Sequence, residues 1–579
     1  MEYIIIQNKN EIIPYLPEIK QANILAVDTE TTGLDPHTVK LRLIQIAAAG
    51  LPVVIIDCFS FLPDGLDIIK DILETRAVKI FQNAKFDLQF FMAVNVYPCP
   101  IFDTMLAGQL LRTSGGPSRF NLDALAQHYL NETIPKDEQK SDWSSKLTES
   151  QLEYAANDAD VLFRLREAMV KKIYENNLSD IALIEFSCAA AIAQIEYNGI
   201  CLDIPRWNSL LDETEKERDE ALEILYTYTE KPTVQMNLFG EDEVSGHNFD
   251  SNPFVLGLLH QNGIQVNSTS KYDLAPYSKH PLVKAVSAYR KAAKSLSSFL
   301  YPIPGMIHPK TKRLHPRYGQ IGAWSGRMAC WGPNVQQIPR SDKFRACFIA
   351  PPGRKLIMAD YSQIELRVAA EITLDQRMMT AYRNGDDLHR LTASLMLGKS
   401  IDAIESQERQ AAKAVNFGLI YAMGAAGLKG YAEQSYGAEM TIEQAEDFRN
   451  RFFKAYTGIE QWHRRLKREP PAESRTLTGR KFTFSENAGL AVLSNTPVQG
   501  TAADIAKKAL GLLATRLQGS DTYITGVVHD EILLETSDEN ADETAKLLKT
   551  TMEEAGNSIL KYVPCQADVD IAQNWAGLP

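Results

Sequence analysis

The sequence lacks the features that mark secreted, zinc-binding and membrane-embedded proteins. Its seven cysteines, among 579 residues, are an odd number, widely scattered and without CxxC spacing, so they indicate neither a disulfide framework nor a zinc site. No run of eighteen uncharged apolar residues occurs, and the first residues have no basic or Arg/Ser-rich targeting character. We therefore expect reduced thiols, no membrane partner and a cytoplasmic location.

Hydropathy patterns divide the remainder of the chain into three parts. In the first 180 residues, closely connected strands are predicted at Ile24–Glu30, Leu41–Ala48 and Pro52–Asp57, followed by alternating helices and strands. Residues 187–300 are largely helical, apart from a polar stretch at 229–252, and the remainder mixes strands and helices. The pattern predicts an α/β multidomain protein whose first unit resembles RNase H.

Two short carboxylate segments lie about 170 residues apart in the C-terminal part. Leu356–Glu365 and Val527–Leu533 each carry an apolar run that predicts a buried strand, and each delivers an aspartate, Asp360 or Asp530, to the strand end. Enzymes that transfer phosphoryl groups commonly hold divalent metal ions between acidic side chains. The pairing therefore predicts an enzyme of that class.

A helical segment between the two acids carries a stripe of cations and aromatics. Arg409, Lys413, Phe417 and Tyr421 follow one another at spacings of four, which places them on one side of a predicted helix. The interleaved alanine, valine, leucine and isoleucine residues supply a separate apolar face for packing. The stripe is thus available for a ligand, with cations for a triphosphate and aromatics for a base.

The N-terminal unit carries its own set of acids. Asp28 and Glu30 are two residues apart at a strand end and share one face, Asp87 follows downstream, and Tyr154 and Asp158 lie one helical turn apart. Four convergent carboxylates can bind two Mg²⁺ or Mn²⁺ ions, and the phenol can orient an attacking water.

In order and spacing, the C-terminal segments resemble motifs A, B and C of family A DNA polymerases, the bacterial polymerase I and phage replicase group. The N-terminal acids resemble a 3′–5′ proofreading exonuclease of the four-acid, tyrosine-containing type. The resemblance implies template-directed DNA synthesis from dNTPs on a primer-template, with proofreading, by an RNase-H-like exonuclease followed by a right-hand polymerase. The expected domains are exonuclease 1–180, thumb 187–310, palm 311–385 and 506–579, and fingers 386–505.

The resemblance also implies roles for individual residues. Each active site is expected to use two ions, Mg²⁺ or Mn²⁺, with metal ligands Asp360 and Asp530 in the polymerase and Asp28, Glu30, Asp87 and Asp158 in the exonuclease. Glu531, Lys413 and Tyr154 complete the catalytic residues. The expected dNTP site comprises Arg409, Lys413, Phe417, Tyr421, His389, Gln363 and the steric gate Glu365. The expected DNA contacts are Arg327, Asn334, Gln336, Asn495, Gln499 and His529.

Several of these residues have a plainer structural alternative. Ser362 and Glu365 form a capping-box pattern for a predicted helix over Ser362–Ile372. Asp530 sits at the predicted tip of a hairpin formed by Tyr523–Val528 and Ile532–Glu535, where polar residues are common. Two other functions also remain open, a stand-alone nuclease with a DNA-binding scaffold and a single-subunit RNA polymerase. Glu365 and Phe417 favour deoxyribonucleotide substrates and so argue against the RNA polymerase.

The chain departs from the family pattern at a few positions. Gln410, Ala422 and Ala491 replace residues usual in the family, and the thumb signature is reduced to Asn248–Ser251. The chain begins at the exonuclease, so we expect no 5′ nuclease domain, and we expect a monomer from a phage or bacterium. Gln235–Phe239 resembles the short peptide by which replication proteins dock on a sliding clamp, although anchoring of a loop to the thumb by its Leu and Phe is the favoured interpretation of so short a motif.

Charge is unevenly distributed along the chain. The formal net charge is −12, which disfavours DNA binding by the surface as a whole. Basic tracts nevertheless occur at Arg290–Lys294, Lys310–Arg317 and Arg464–Arg468. We expect a basic cleft on an acidic body, with salt-dependent DNA binding.

Overall fold

The three strands predicted near the N-terminus form the centre of a six-stranded sheet. The computed structural model describes residues 2–135, 138, 140–229, 233–236, 242–245, 247–437 and 439–577. The sheet has the order β1-β4-β3-β2-β5-β6, with β3 antiparallel to both neighbours and the other pairs parallel. The elements of this part are β1 Tyr3–Ile6, α1 Lys9–Ile12, α2 Leu16–Gln21, β2 Ile24–Thr31, β3 Leu41–Ala47, β4 Val53–Asp57, α3 Cys58–Leu73, β5 Val78–Phe81, α4 Ala84–Ala93, β6 Ile101–Asp103, α5 Thr104–Leu111, α6 Leu122–Leu130 and α7 Glu149–Glu175.

A largely helical part follows, as predicted. Its outer portion has a small core of its own, built from residues between Leu225 and Val286. Within this part the longest helix is α9, which ends at Leu225. The elements are α8 Ser179–Asn198, β7 Cys201–Leu202, α9 Ile204–Leu225, β8 Thr233–Met236, β9 Asp242–Ser245, α10 Asn252–Gln261, α11 Lys271–Leu274 and α12 Pro281–Ser295. Within Gln235–Phe239, residues 237–239 lie outside the described residues.

The C-terminal part assembles one sheet from segments remote in sequence. The four antiparallel strands have the order β16-β17-β13-β18, so β13 pairs with strands more than 170 residues downstream. The elements are β10 Arg317–Gly319, β11 Ala329–Trp331, α13 Asp342–Arg345, β12 Phe348–Ile349, β13 Arg354–Tyr361, α14 Ile364–Thr373, α15 Gln376–Asn384, α16 Leu388–Leu397, α17 Ser406–Ile420, α18 Ala425–Tyr436, α19 Ile442–Ala455, α20 Thr457–Arg468, β14 Glu473–Arg475, β15 Lys481–Thr483, α21 Leu490–Arg516, β16 Tyr523–Val528, β17 Glu531–Ser537, α22 Ala541–Asn557 and β18 Ala567–Ala572.

Two of the expected domain boundaries fall inside continuous helices. The 180/187 boundary lies within α8, whose Ile184 and Phe186 join the N-terminal core while Ile192 and Ile195 join the C-terminal core. The 505/506 boundary lies within α21, which is buried along most of its length. Helices that serve two cores have apolar residues on several faces, so the sequence carries no break where one domain gives way to the next.

Buried charges lock α8 to α21 and to the loop between β14 and β15. Glu185 of α8 forms ion pairs with Arg480 and, at 2.6 Å, with Lys507 of α21, and Arg480 also pairs with Asp504 at 2.6 Å. All four side chains are buried. Removing one member of such a network typically costs about 3–5 kcal/mol, because a partner charge is left buried and unpaired. No helix in the described part of the chain is long and apolar enough to cross a membrane.

Candidate active sites

The register of the C-terminal sheet brings carboxylates together at the end of β13. Asp360 is paired with Glu531 of β17 on one side and with Asp568 of β18 on the other. Directly opposed residues of antiparallel strands point to the same face of the sheet. His529 has a φ of 61° at the β16–β17 turn, which also presents Asp530. The two acids predicted from sequence thus occupy neighbouring strand ends.

Electrostatic strain between these acids suits a cation. Desolvation and then the negative charges of Asp530 and Glu531 raise the pKa of Asp360 to about 7. Desolvation also raises the pKa of Asp530, while Arg327 and Arg340 oppose the shift. A divalent ion bound between the carboxylates would relieve this repulsion, and carboxylate oxygens are ligands that Mg²⁺ prefers. The donor set therefore fits the metal expected there.

Glu531 has fixed partners that sequence reasoning missed. Arg345 donates to its two carboxylate oxygens at 3.1 and 2.9 Å, and the indole N–H of Trp575 donates to Oε1 at 2.7 Å. The Arg345 guanidinium also lies 4.5 Å from the centre of the Trp575 ring. Glu531 is therefore neutralised and oriented by groups from α13 and from the C-terminal segment.

Helix α17 presents the predicted stripe beside an apolar face. Arg409, Lys413 and Phe417 are partly exposed, whereas the alternate apolar face is buried through Ala412, Val415, Leu419 and Ile420. Tyr421 lies one residue beyond the last helical residue, Ile420, and is the C-cap of α17. Its hydroxyl bonds Glu365 of α14.

The cations of α17 contact neighbouring side chains, and the nearby histidine is buried. Arg409 donates to Asp387 at 2.6 Å, and Lys413 Nζ lies 5.9 Å from the centre of the Tyr436 ring. His389, expected at the triphosphate, is only 1% exposed, and burial lowers its pKa to about 4. Its Nδ1 lies 2.8 Å from the Asn416 amide and its Nε2 is buried without a partner. His389 is consequently a neutral ring packed 6.0 Å from Phe417.

Glu365 joins α14 to two other segments. Tyr421 donates its hydroxyl to Oε2 of Glu365, and Arg327 donates to Oε1. Both interactions occupy groups that the sequence assigned to nucleotide and DNA binding. In this structure the three side chains form one hydrogen-bonded unit.

The capping box expected at the start of α14 is not formed. The helix begins at Ile364, and its N-cap is Gln363, whose φ of 57° is left-handed and whose side chain makes no cap bond. Ser362 instead donates to Asp568 at 2.6 Å. Gln363 accepts a hydrogen bond from Tyr382 at 3.1 Å. Tertiary contacts therefore replace the local cap.

The expected DNA-contacting amides include two with unpaired oxygens. Oδ1 of Asn334 and Oδ1 of Asn495 are buried without hydrogen-bond partners. Gln336 and Gln499 are partly exposed, and His529 is exposed at the hairpin tip. Unpaired buried oxygens are rare and indicate a missing partner.

The four N-terminal acids and their tyrosine converge from three elements. Asp28 and Glu30 lie on β2, Asp87 on α4, and Tyr154 and Asp158 on α7. Thr29 donates to Asp87 at 2.6 Å. The pKa of Asp28 is raised by burial and by the charges of the other three carboxylates. Burial, and then the charges of Asp158 and Asp87, raise the pKa of Glu30 to about 9.

The N-terminal cluster also fits a metal. Burial raises the pKa of Asp87 and of Asp158 to about 7, and Oδ1 of Asp158 is buried without a hydrogen-bond partner among the described residues. An unpaired buried carboxylate oxygen among other carboxylates is a natural cation ligand. Among the residues that the structure describes, no three His, Cys, Asp or Glu side chains already have the geometry of a metal shell. Water or DNA phosphate oxygens would complete the coordination, as Mg²⁺ commonly requires.

Comparison with protein families matches both parts of the chain. The model for DNA polymerase family A matches residues 211–577, and the model for the 3′-5′ exonuclease matches residues 3–174. The matched ranges contain the C-terminal and N-terminal acid clusters respectively. The resemblance inferred from the motifs is therefore confirmed.

Individual relatives agree with the family models. DNA polymerase I of Aquifex aeolicus is 33% identical over 605 aligned residues, which cover 99% of this chain and 100% of that protein. DNA polymerase I of Pseudomonas aeruginosa is 29% identical over 99% of this chain and 66% of its own length. The chain spans about half of the thermostable DNA polymerase I of Thermus filiformis, with 31% identity.

A solved structure shares the fold. The POL domain of Pol1 from M. smegmatis, in complex with DNA primer-template and dNTP, superimposes with a TM-score of 0.80 at 23% identity, covering 99% of both chains. The expected fold, an exonuclease unit followed by a right-hand polymerase, is thus confirmed. The chain belongs to DNA polymerase family A and is a DNA-directed DNA polymerase with 3′–5′ exonuclease activity.

Proposed function

We propose that the enzyme extends a primer 3′ end with dNTPs at Asp360 and Asp530, with two Mg²⁺ or Mn²⁺ ions, and proofreads at the N-terminal acids. The observation that carries this proposal is the sheet register that sets Asp360 beside Glu531 and the Asp530 turn. Bound ions would lower the pKa of the primer 3′-OH and neutralise charge on the transferred phosphoryl group. Glu531 supports the ligands indirectly, since Arg345 and Trp575 already occupy its carboxylate.

Helix α17 supplies the nucleotide-binding side chains. Arg409 and Lys413 hold the triphosphate, which requires Arg409 to exchange Asp387 for phosphate. Phe417 packs on the incoming nucleotide, and Tyr421 guards the templating base. His389 supports α17 at this site through Phe417 and Asn416, and it reaches phosphate only if it leaves its buried position. Gln363, the N-cap of α14, also belongs to the proposed dNTP site.

Glu365 crowds the position of a ribose 2′-OH and so selects deoxyribonucleotides. The hydrogen bond from Tyr421 and the ion pair with Arg327 hold its carboxylate in one orientation. A side chain held in place excludes an added hydroxyl more strongly than a mobile one, because it cannot yield. Comparison of dNTP with rNTP incorporation distinguishes this enzyme from an RNA polymerase.

DNA binds along the cleft beside these groups. Asn334 and Asn495, together with Gln336 and Gln499, donate side-chain amide N–H groups to the minor-groove acceptors of the nascent duplex. Arg327 joins them with the guanidinium N–H groups that its ion pair with Glu365 leaves available, and His529 contacts the primer terminus. The POL domain of Pol1 from M. smegmatis is in complex with DNA primer-template and dNTP, which supports these partners for the present chain.

Proofreading uses the N-terminal cluster. Asp28, Glu30, Asp87 and Asp158 would hold the metal ions, and Tyr154 would orient the water that attacks the terminal phosphodiester. The convergence of the four carboxylates supports the assignment, since Asp87 and Asp158 raise the pKa values of both Asp28 and Glu30.

The remaining assignments follow the expected domains. We assign the thumb to 187–310, the fingers to 386–505 and the palm to 311–385 with 506–579, with α8 and α21 shared across boundaries. We further propose a monomer that acts on DNA in the bacterial cytoplasm, as its bacterial relatives suggest, and that docks on a sliding clamp through Gln235–Phe239.

Crossed substitutions test the proposed function. Asp530→Ala should abolish primer extension and leave digestion of single-stranded DNA intact, because only the polymerase site loses a ligand. Asp28→Ala with Glu30→Ala should do the reverse. Extension by Asp530→Ala at the wild-type rate, measured with labelled primer, would refute the polymerase assignment.

A further inference from the structure

A cavity of about 200 Å³ lies between the exonuclease unit and the polymerase part. It is separate from both acid clusters, since none of their residues lines it. The exonuclease unit contributes the end of α5 and the segment after it, and the polymerase part contributes the loop after β10 and strand β15. Its main lining side chains are Gln109, Arg112, Thr113, Phe120, Trp324 and Phe482.

Two polar atoms of the exonuclease wall have no partner. Oε1 of Gln109 and Oγ1 of Thr113 are both buried without a hydrogen bond to any residue that the structure describes. Burying such groups unpaired costs free energy, so native structures normally supply a partner. Both residues line the cavity, and together these side chains carry one acceptor and one hydroxyl without a partner. They point to a ligand with hydrogen-bonding groups on its edge.

The opposite wall is aromatic. Trp324 is 51% exposed although its ring packs 6.4 Å from that of Phe482. An exposed indole next to hydrogen-bonding groups suits a flat ring that stacks on its face and is bound at its edge. Pockets for drug-sized molecules measure roughly 300–1,000 Å³, so this smaller cavity suits a single base.

The cavity lies between the two catalytic regions. Trp324 is three residues before Arg327, which binds Glu365 beside the polymerase acids. On the other side, Gln82, which precedes α4 and its Asp87, donates to the Phe120 carbonyl at 2.7 Å. A base bound in the cavity therefore lies between two segments. One continues to Arg327 beside the polymerase acids, and the other contacts Gln82, which precedes the exonuclease helix α4.

The floor of the cavity is rigid. Gly326 has a φ of 82°, and a Cβ at this position would lie 2.7 Å from Nε of Arg480. Arg480 is itself fixed by Glu185 and Asp504 in the buried charge network. The loop that carries Trp324 thus rests on a fixed support that also belongs to α8, the helix shared by both cores.

From these observations we infer that the cavity binds an unpaired base of the primer strand, by stacking on Trp324 and hydrogen bonding to Gln109 and Thr113, while a mismatched 3′ end passes from the polymerase site to the exonuclease site. The inference rests on the proposed function, because it requires both sites to act on one primer. Arg112, which is exposed at the rim, adds positive charge for the strand's phosphates.

The test compares three substrates with the full-length enzyme. Excision of a mismatched 3′ nucleotide from a primer-template requires transfer, whereas digestion of a single-stranded oligonucleotide and extension of a matched primer do not. Trp324→Ala should slow mismatch excision about tenfold, the loss expected when one base–aromatic stack is removed. Gln109→Leu should slow it about fivefold, and both variants should keep the other two rates.

Trp331→Ala is the matched control. Trp331 is 48% exposed, lies in the same part of the chain and does not line the cavity, so it reports any general effect of losing an indole. A fluorescent 2-aminopurine at the mismatched primer end should be quenched by wild type and by Trp331→Ala, but less by Trp324→Ala. Equal excision rates and equal quenching for the two tryptophan variants would overturn the inference. Loss of single-strand digestion or of matched extension by wild-type enzyme would instead refute the proposed function.

Discussion

The two acid clusters of this enzyme differ in the cations around them. In the exonuclease unit, the charges of Asp87, Glu30 and Asp158 raise the pKa of Asp28, and none of the four acids is in an ion pair within the described residues. In the polymerase part, Arg345 pairs with the acid next to Asp530, Arg340 opposes the rise in the pKa of Asp360, and Arg327 and Arg340 oppose the rise in the pKa of Asp530. Carboxylate metal ligands therefore lie mainly among other acids in the exonuclease unit, but close to arginines in the polymerase part.

The difference matches what each site handles. A triphosphate, a primer end and a template bring many negative charges to the polymerase cleft, so arginines and lysine are needed beside the metal ligands. The exonuclease cleaves one phosphodiester and can rely on metal ions to offset its acids. Before metal binds, however, the buried carboxylates repel one another and destabilise the folded unit.

The largest expected effect separates the two clusters completely. Asp360→Asn removes a ligand charge with little change of shape, and should lower primer extension at least about 1,000-fold, since metal-assisted charge stabilisation contributes several kcal/mol. Digestion of single-stranded DNA should stay within twofold of wild type. Steady-state rates on the two substrates provide the measurement, and a parallel loss of both activities would contradict the separation.

A smaller effect is expected for the arginine that neutralises the polymerase cluster. Arg345→Met leaves Glu531 with only the Trp575 bond, and should lower extension about 10- to 100-fold, the usual range for groups that orient metal ligands. The Mg²⁺ concentration needed for half-maximal extension should rise with it. Unchanged Mg²⁺ dependence would mean that Arg345 acts only on folding.

Lys343→Met is the control for this change. Lys343 lies on the same short helix α13 and pairs with Glu213 at the surface, where ion pairs contribute at most about 1 kcal/mol. Extension and its Mg²⁺ dependence should match wild type. A loss equal to that of Arg345→Met would assign the effect to α13 as a whole.

The smallest effect is on stability and tests the repulsion in the exonuclease cluster. A carboxylate whose folded pKa is raised destabilises the folded state above its unfolded pKa, so at pH 8 Asp87→Asn should remove a cost. The metal-free exonuclease transition should rise by about 2–4 °C in calorimetry, the shift that about 1 kcal/mol gives a unit of this size. Added Mg²⁺ should erase the advantage, whereas a lower melting temperature without metal would argue against repulsion.

Sequence patterns predicted the elements better than their long-range partners. The strands predicted at Ile24–Glu30, Leu41–Ala48 and Pro52–Asp57 are each observed within one residue at either end, because buried strands are short apolar runs with clear ends. The hairpin around Asp530 is observed for the same reason. Local signals also located both acid clusters.

The errors arise where tertiary contacts outweigh local ones. Ser362 and Glu365 have the sequence of a capping box, but Asp568 and Arg327 offer stronger partners from distant segments. The partnership of Glu531 with Arg345 and Trp575 depends on which strands pair, which no local pattern specifies. For the same reason, the apolar runs of α8 and α21 gave no indication that each helix spans two domains.

Anomalous scattering from Mn²⁺ tests the central claim most directly. A crystal of the wild-type enzyme with primer-template and Mn²⁺ should show anomalous density between the carboxylates of Asp360 and Asp530, and separate density among Asp28, Glu30, Asp87 and Asp158. Manganese at both clusters is the result predicted here. Fully occupied manganese sites elsewhere, with no ion in contact with either acid cluster, would contradict the proposal.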